Sequence, residues 1–144
     1  MTGDGPVPAA QPLRDVTALV QPQLDRLNRE LLHDIAPGHP EMLPLVEHVG
    51  GFRGKQLRPV LTFLSGMAVR GASHGGVLGD DVVTVAKVVE LLHTATLVHD
   101  DVLDSASVRR RISTINHLSG VATAVLLGDY ISAQAFHMAV QLPD

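Results

Sequence analysis

The feature that most constrains this chain is a stripe of ionisable side chains on an otherwise apolar helix. Its ionisable members are Glu90, His93, Asp100 and Asp104, and Leu97 occupies the position between them on the same face. Their spacing of 3, 4, 3 and 4 residues places them on one face of an α-helix, with valine, leucine and alanine between them. Ionisable groups on an apolar helix cost desolvation free energy unless they line a polar cavity. The spacing therefore predicts a helix that borders such a cavity.

The end of this stripe concentrates carboxylates and is followed by arginines. Asp100 and Asp104 lie one turn apart, Asp101 lies beside them, and residues 109–111 are all arginine. Mg²⁺ prefers hard oxygen ligands and usually takes one or two carboxylates together with substrate phosphates. The pattern predicts a Mg²⁺ site that holds a diphosphate, whose oxygens the arginines bind. The alternative is a solvated helix end with cations near its C-terminal dipole.

Residues 50–59 form a second candidate site, a glycine-rich loop that leads into a helix. Lys55 and Arg58 are three residues apart at the predicted helix start, where free N–H groups, a point charge and a planar guanidinium favour an anion. A nucleotide P-loop is excluded, because Val49 replaces its first glycine and Gln56 replaces its Ser or Thr. The alternative is a glycine-rich turn before an exposed basic helix start.

The rest of the pattern predicts helices and no persistent strand. Residues 1–12 are rich in Pro and Gly and predict a disordered tail, and residues 13–144 predict one helical domain. Helices are expected over about 13–36, 41–49, 58–70, 80–105 and 121–141. Asp80 or Asp81 is expected to cap the fourth helix, after a glycine-rich loop over 71–79.

Composition narrows the class of protein. A net charge of −4 and a pI near 6.0 argue against a nucleic-acid partner. The absence of cysteine excludes disulfides and thiolate metal sites and is compatible with the reducing cytoplasm. The first residues lack the basic and apolar regions of a signal peptide, and apolar runs such as 121–127 are too short to span a bilayer. We therefore expect a cytoplasmic protein that is not integral to a membrane.

Several separate motifs together resemble those of the trans-polyprenyl diphosphate synthases. They lie at 54–59, 90–104, 109–110 and 128–130, in the order and spacing seen in that family, and the resemblance covers about 13–142. It implies an all-α helical bundle of the isoprenoid synthase type. The chain resembles the N-terminal half of that bundle, because no second aspartate-rich motif follows Asp101.

The resemblance implies roles for individual residues. Asp100 and Asp104 match the motif that binds Mg²⁺ bridged to the diphosphate of the allylic substrate, with Asp101 as a supporting ligand, and Arg109 matches the arginine that contacts that diphosphate. The residues that match the binding site for the isopentenyl diphosphate headgroup are Lys55, Arg58, His93 and Arg110. The implied reaction is chain elongation, in which isopentenyl diphosphate is condensed with an allylic prenyl diphosphate.

Product length and assembly can also be anticipated from the resemblance. Small residues, Ala95 and Thr96, stand where bulky aromatic residues block the growing chain in short-product enzymes, so we expect a product of more than fifteen carbons. The chain has roughly half the length expected for the family. We therefore expect a homodimer or hetero-oligomer, or a need for a complementary partner.

Two other functions are compatible with parts of the sequence. A half-bundle could serve as a non-catalytic regulatory subunit of a heteromeric prenyl synthase. Two Glu-x-x-His units, Glu30 with His33 and Glu90 with His93, also occur in carboxylate-bridged di-iron bundles, although such sites need a glutamate from each of two further helices.

Overall fold

Helices make up nearly all of the regular structure of this chain. The computed structural model describes residues 10–35, 40–52, 54–70 and 78–143. The elements in chain order are α1 (Ala10–Ala18), α2 (Gln21–Asp34), a 3₁₀ turn (Pro40–Met42), α3 (Leu43–Gly50), α4 (Leu57–Arg70), α5 (Asp80–Leu103), β1 (Val108–Arg109), β2 (Ile112–Ser113), α6 (Ile115–Ser119) and α7 (Val121–Ala139). The all-α class is confirmed. The predicted tail, apart from 10–12 at the start of α1, and most of the 71–79 loop lie outside the described residues.

The longest helix, α5, is the centre of the packing and contacts α2, α4, α6 and α7. Its buried side faces a core in which Leu27, Phe63, Leu91 and Ile131 are at most 1% exposed. The predicted aspartate cap is wrong, because Gly79 holds the N-cap position with no side-chain hydrogen bond. Asp80 and Asp81 instead lie in the first turn, where their charge favours the helix dipole.

The predicted first helix is divided into α1 and α2. Leu19 and Val20 form a turn between them, and Pro22 lies in the first turn of α2. Proline has no N–H and clashes with a preceding helical turn, but it fits a helix start. The break lets Val20 reach full burial in the core.

A hairpin of two strands, β1 and β2, each two residues long, follows α5 and was not predicted. Val108 pairs with Ser113 and Arg109 with Ile112 in antiparallel register. The connecting residues, Arg110 and Arg111, have φ of 49° and 70°. Tight hairpin turns of this kind need positive φ at both central residues and usually contain Asn-Gly. Strands this short carry no alternating pattern, so the sequence gives no periodic signal for them.

Helix α7 packs closely on α5 because its buried face carries small residues. A Cβ built on Gly128 would overlap the ring of His99, whose Nε2 lies 3.3 Å from the Val125 carbonyl oxygen. The Tyr130 hydroxyl donates to the Ile35 carbonyl oxygen at 3.1 Å and links α7 to the end of α2. The motif at 128–130 thus joins three helices.

By length and composition, α5 could cross a membrane, since one of its windows has a mean hydropathy of 1.4. This corrects the expectation that no apolar segment is long enough. A single helix of this kind is weak evidence for a membrane span, because the core helix of a water-soluble protein has the same properties. Helix α5 packs against four other helices, as such a core helix does.

Candidate functional site

A cavity of about 430 Å³ lies between α2, α3, the start of α4 and α5. Its inner wall is apolar and includes Leu31, Ile35, Val46, Val49 and Leu91, all of which are buried. Its polar wall carries the carboxylate of Glu90 and four nitrogen-bearing side chains, which are Lys55, Arg58, His93 and Arg110. The structure therefore brings together, from three separate segments, the four residues that the resemblance groups around one diphosphate.

The loop that carries Lys55 is fixed to α2 by a pair of amides. Asn28 Nδ2 donates to Gln56 Oε1 at 3.2 Å, and Gln56 Nε2 donates to Asn28 Oδ1 at 2.8 Å. Gln56 has a φ of 48°, and its carbonyl oxygen accepts from the Val60 N–H at the start of α4. This reciprocal pair orients the Lys55 and Arg58 segment. Sequence reasoning missed both amides, because their 28-residue separation leaves no local signal.

Arg110 reaches the same cavity from the hairpin turn. Its Nη1 donates to the Phe52 carbonyl oxygen at 3.2 Å. The guanidinium lies against the backbone of Gly54, where an added Cβ would overlap it. The hairpin is also joined to α3, since His48 Nε2 lies 2.7 Å from the Ser113 carbonyl oxygen. Gly54 is therefore needed for the close approach of Arg110.

His93 lies in the positive potential of this cluster. Its pKa is lowered below the usual 6.5, first by burial and then by the charges of Arg58, Arg110 and Arg109, while Asp100 opposes the shift. The ring is therefore neutral at pH 7. Among the described residues no carboxylate forms an ion pair with Lys55, Arg58 or Arg110. The cavity thus carries a net positive charge, since Glu90 is the one carboxylate among its described lining residues, against three cations.

Asp100 and Asp104 lie beyond this cluster at the C-terminal end of α5. Both residues are exposed, and Asp104 is the C-cap of the helix. Their charges help to raise the pKa of Arg109, although the hydrogen bond that Arg109 donates to Asp101 is the main cause. Two exposed carboxylates one turn apart suit Mg²⁺, which also takes phosphate oxygens and water. The residues present therefore fit a magnesium ion shared with a diphosphate.

Asp101 differs from its two neighbours. It is 2% exposed, and its carboxylate accepts Arg109 Nε at 2.9 and 3.0 Å and Arg109 Nη2 at 2.9 Å. The predicted supporting metal ligand is thus the ion-pair partner of the arginine predicted to contact the allylic diphosphate. In this arrangement Asp101 orients Arg109, and its role as a metal ligand stays a prediction.

The comparisons with known proteins decide the family. The family model described as Polyprenyl synthetase matches residues 39–144. The chain belongs to this family. It is 38% identical over 127 residues to solanesyl diphosphate synthase 1, chloroplastic, of Arabidopsis thaliana, covering 87% of this chain and 31% of that protein. It is also 43% identical over 89 residues to octaprenyl diphosphate synthase of Escherichia coli, covering 62% and 26%.

Solved polyprenyl synthases share the fold. Heptaprenyl diphosphate synthase from Staphylococcus aureus matches with a TM-score of 0.78 at 27% identity, over 87% of this chain and 38% of that one. A polyprenyl synthase from Caulobacter crescentus, complexed with calcium and isoprenyl diphosphate, matches with a TM-score of 0.77 at 30% identity, over 90% and 38%. The chain spans about a third of the length of the curated relatives it matches, less than the expected half.

The polyprenyl synthetase assignment leaves no support for the di-iron alternative. Glu30 is bound on one oxygen by Arg26 at 2.7 Å and on the other by Lys87 at 2.6 Å, and His33 is exposed. Within the part of the chain that the structure describes, no group of three or more His, Asp or Glu side chains is arranged to hold a metal. The two Glu-x-x-His units therefore do not form the di-iron site of that alternative.

The residues predicted to open a tunnel for the product do not line the cavity. Ala95 is 1% exposed in the core of this polyprenyl synthetase chain, and Thr96 is exposed, with its hydroxyl donating to the His93 carbonyl oxygen at 2.7 Å. Thr94 and Leu97 line the cavity instead. A product of more than fifteen carbons stays a prediction.

Proposed function

We propose that this chain forms the diphosphate-binding wall of a trans-prenyltransferase. The reaction is the condensation of isopentenyl diphosphate with an allylic diphosphate to give a longer polyprenyl diphosphate. One observation carries the proposal: the cations of a partly apolar cavity have no ion-pair partner among the described residues, and two exposed carboxylates lie at the end of α5, the helix that carries His93. Such a division of charge suits one diphosphate bound directly and another bound through a metal.

The isopentenyl diphosphate binds at the cation cluster. Lys55 supplies a compact charge, and Arg58 and Arg110 supply planar donors that match phosphate oxygens. His93, whose pKa is lowered below 6.5, is mostly neutral at pH 7 and donates one N–H to the anion. The apolar inner wall accepts the hydrocarbon part and excludes water.

The allylic diphosphate binds at the end of α5. Asp100 and Asp104 would hold Mg²⁺, which supplies electrostatic stabilisation of the departing diphosphate when bound. Arg109, held by Asp101, donates to the same diphosphate. As the allylic C–O bond breaks, the double bond of isopentenyl diphosphate forms the new C–C bond, and loss of a proton completes a five-carbon extension.

The active unit is an assembly: a homodimer, a hetero-oligomer or a longer polypeptide that contains this chain. Large apolar residues on α5, on α7 and at the C-cap of α7 support this, since Leu103, Leu126, Phe136 and Val140 are each more than 60% exposed. The cytoplasmic location also stays a proposal, because some of the relatives are chloroplastic.

Calorimetry of the purified chain tests the two diphosphate sites. An allylic diphosphate should bind more tightly with Mg²⁺ than without it, and Asp100→Ala should remove that difference. Asp25→Ala, which removes an exposed carboxylate from α2, is the matched control and should behave as the wild type. Binding that is indifferent to both Mg²⁺ and Asp100→Ala would refute the metal site.

A condensation assay with radiolabelled isopentenyl diphosphate and primers of ten, fifteen and twenty carbons tests the reaction. Product formation by the chain, or by its complex with a partner, supports the prenyltransferase. Loss of Asp100 in this chain should then abolish turnover. If turnover in a complex is unaffected by Asp100→Ala, the chain is a regulatory subunit.

A further inference from the structure

We propose that Asn116 is a positioning residue that sets the direction of Arg109 toward the allylic diphosphate. The inference rests on the proposed function and assigns a role to a side chain outside the substrate-binding residues. Asn116 lies at the second position of α6, fifteen residues after Asp101. It contacts the backbone that holds Asp101, and Asp101 in turn holds Arg109.

The amide of Asn116 joins two backbone carbonyls on either side of the end of α5. Its Nδ2 donates to the Asp101 carbonyl oxygen at 3.2 Å and to the Ala106 carbonyl oxygen at 3.0 Å. The Ala106 N–H also donates to the Asp101 carbonyl oxygen, at 2.9 Å. One side chain therefore fixes both ends of the turn that follows the helix.

The amide orientation follows from these two acceptors. The opposite orientation would place Oδ1 against two carbonyl oxygens, so the nitrogen must face them. Asn116 Oδ1 is buried and has no hydrogen-bond partner among the described residues. Because two N–H donors are needed, Asp cannot replace Asn here, and Ser keeps only one donor.

The turn encloses the Asp101–Arg109 pair. Thr114, which is fully buried, donates its hydroxyl to the Ala106 carbonyl oxygen at 2.7 Å and its N–H to Ser107 at 3.1 Å. Ser105 has a φ of 51°, a conformation that local contacts must maintain. The turn thus fixes the backbone direction at Arg109. Three contacts of 2.9–3.0 Å to Asp101 hold its guanidinium.

The position of Asp101 affects both groups proposed to bind the diphosphate at this end of α5, which are Arg109 and the metal-binding carboxylates. The backbone of Asp101 is flanked by Asp100 and precedes Asp104 by three residues, so its position also sets those two carboxylates. Loss of the Asn116 donors should make the turn more mobile and free the Arg109 side chain. It should therefore weaken the binding of both Mg²⁺ and diphosphate. Asn116 itself touches neither.

The first test follows the Arg109 side chain by NMR and needs no ligand. In the wild type its Nε–H, bonded to both Asp101 oxygens, should exchange slowly with solvent. Asn116→Ala should accelerate that exchange at least about tenfold, which corresponds to one hydrogen bond of about 1.4 kcal/mol. Gln23→Ala is the control, since Gln23 also has a buried unpaired amide oxygen but lies on α2.

The second test measures binding of inorganic pyrophosphate in the presence of Mg²⁺. Asn116→Ala should weaken the Mg²⁺-dependent part about tenfold, and Asn116→Ser, with one donor, should lie between it and the wild type. Wild-type exchange of Arg109 in Asn116→Ala overturns the proposal, as does wild-type pyrophosphate affinity. If the Ala variant does not fold, the Ser variant decides by the same two criteria. Failure of the wild type to bind pyrophosphate would refute the proposed function alone, and the exchange data would still judge Asn116.

Discussion

The chain contains two lysines, Lys55 and Lys87, and they occupy opposite kinds of surroundings. The Lys87 side chain is 8% exposed, and its Nζ lies 2.6 Å from Glu30 and 2.6 Å from Asp34. Its pKa is raised because the two carboxylates more than offset burial. Lys55 is exposed on a cavity with two arginines, and no described carboxylate pairs with it.

This contrast separates charges that stabilise the fold from charges that await a ligand. The ion pairs of Lys87 join α2 to α5, and Arg26 extends the network by bridging Glu30 and Asp80. Near the C-terminal end of α5, the cations Lys55, Arg58 and Arg110 line the cavity, and the exposed carboxylates of Asp100 and Asp104 lie beyond it. Uncompensated charge around a cavity is typical of a functional site, because the protein forgoes local pairing there.

The largest expected effect comes from breaking the compensated network. Lys87→Met should lower the free energy of unfolding by about 2–3 kcal/mol, because it leaves Asp34 without its cation and Glu30 with Arg26 alone. The loss stays below that of a fully buried pair because both carboxylates are about one-third exposed. Urea unfolding measures it. The same change at the other lysine, Lys55→Met, is the control and should cost less than about 0.5 kcal/mol; equal losses would contradict the contrast.

The next effect concerns binding and should leave stability unchanged. Lys55→Ala and Arg58→Ala should each weaken isopentenyl diphosphate binding by about 1.5–3 kcal/mol, the range for a hydrogen bond to a charged group. Calorimetry should show the Mg²⁺-dependent allylic site nearly unaffected. Equal losses at both sites would mean that the glycine-rich loop is a structural element and not an anion site.

A smaller effect is expected at Gly54. A methyl group there would overlap the Arg110 guanidinium, which is the flexible end of its side chain and can move away. Gly54→Ala should therefore weaken isopentenyl diphosphate binding by about 1 kcal/mol with little change in stability. In an Arg110→Ala background the same substitution should have no further effect, since its target is gone. An undiminished effect in that background would show that Gly54 acts through the loop backbone.

The sequence predicted those parts of the molecule that follow from helical spacing. The helix around Glu90 and His93, the closing helix from Val121, and the grouping of Lys55 with Arg58 all depend on contacts within a few turns. The resemblance added Arg110 to that cluster, and the structure places it there. These features need no knowledge of distant partners.

Features set by distant contacts could not be read in the same way. In the sequence Asp101 lies beside Asp100 and so has the position of a metal ligand. Its burial against Arg109 depends on a hairpin whose strands are too short to show a sequence pattern. The Asn28–Gln56 pair and the Lys87 network each join segments far apart in sequence. Glu30 has the spacing of a metal ligand in the sequence, but in the structure it is an ion-pair partner of Lys87.

The smallest expected effect is a change in the titration of His93. Burial is the main reason that its pKa is lowered, and Arg58 is the next. Arg58→Ala should therefore raise the pKa toward 6.5 without restoring it, as measured from the imidazole proton shifts by NMR. Because a folded-state pKa below the unfolded value costs stability as pH falls through 6.5, the wild type should lose more stability there than Arg58→Ala. Arg29→Ala, which removes an exposed arginine from α2, should leave the titration as it is. A His93 titration identical in all three proteins would place Arg58 outside the cation cluster, and the uncompensated half of the contrast would then lack one of its members.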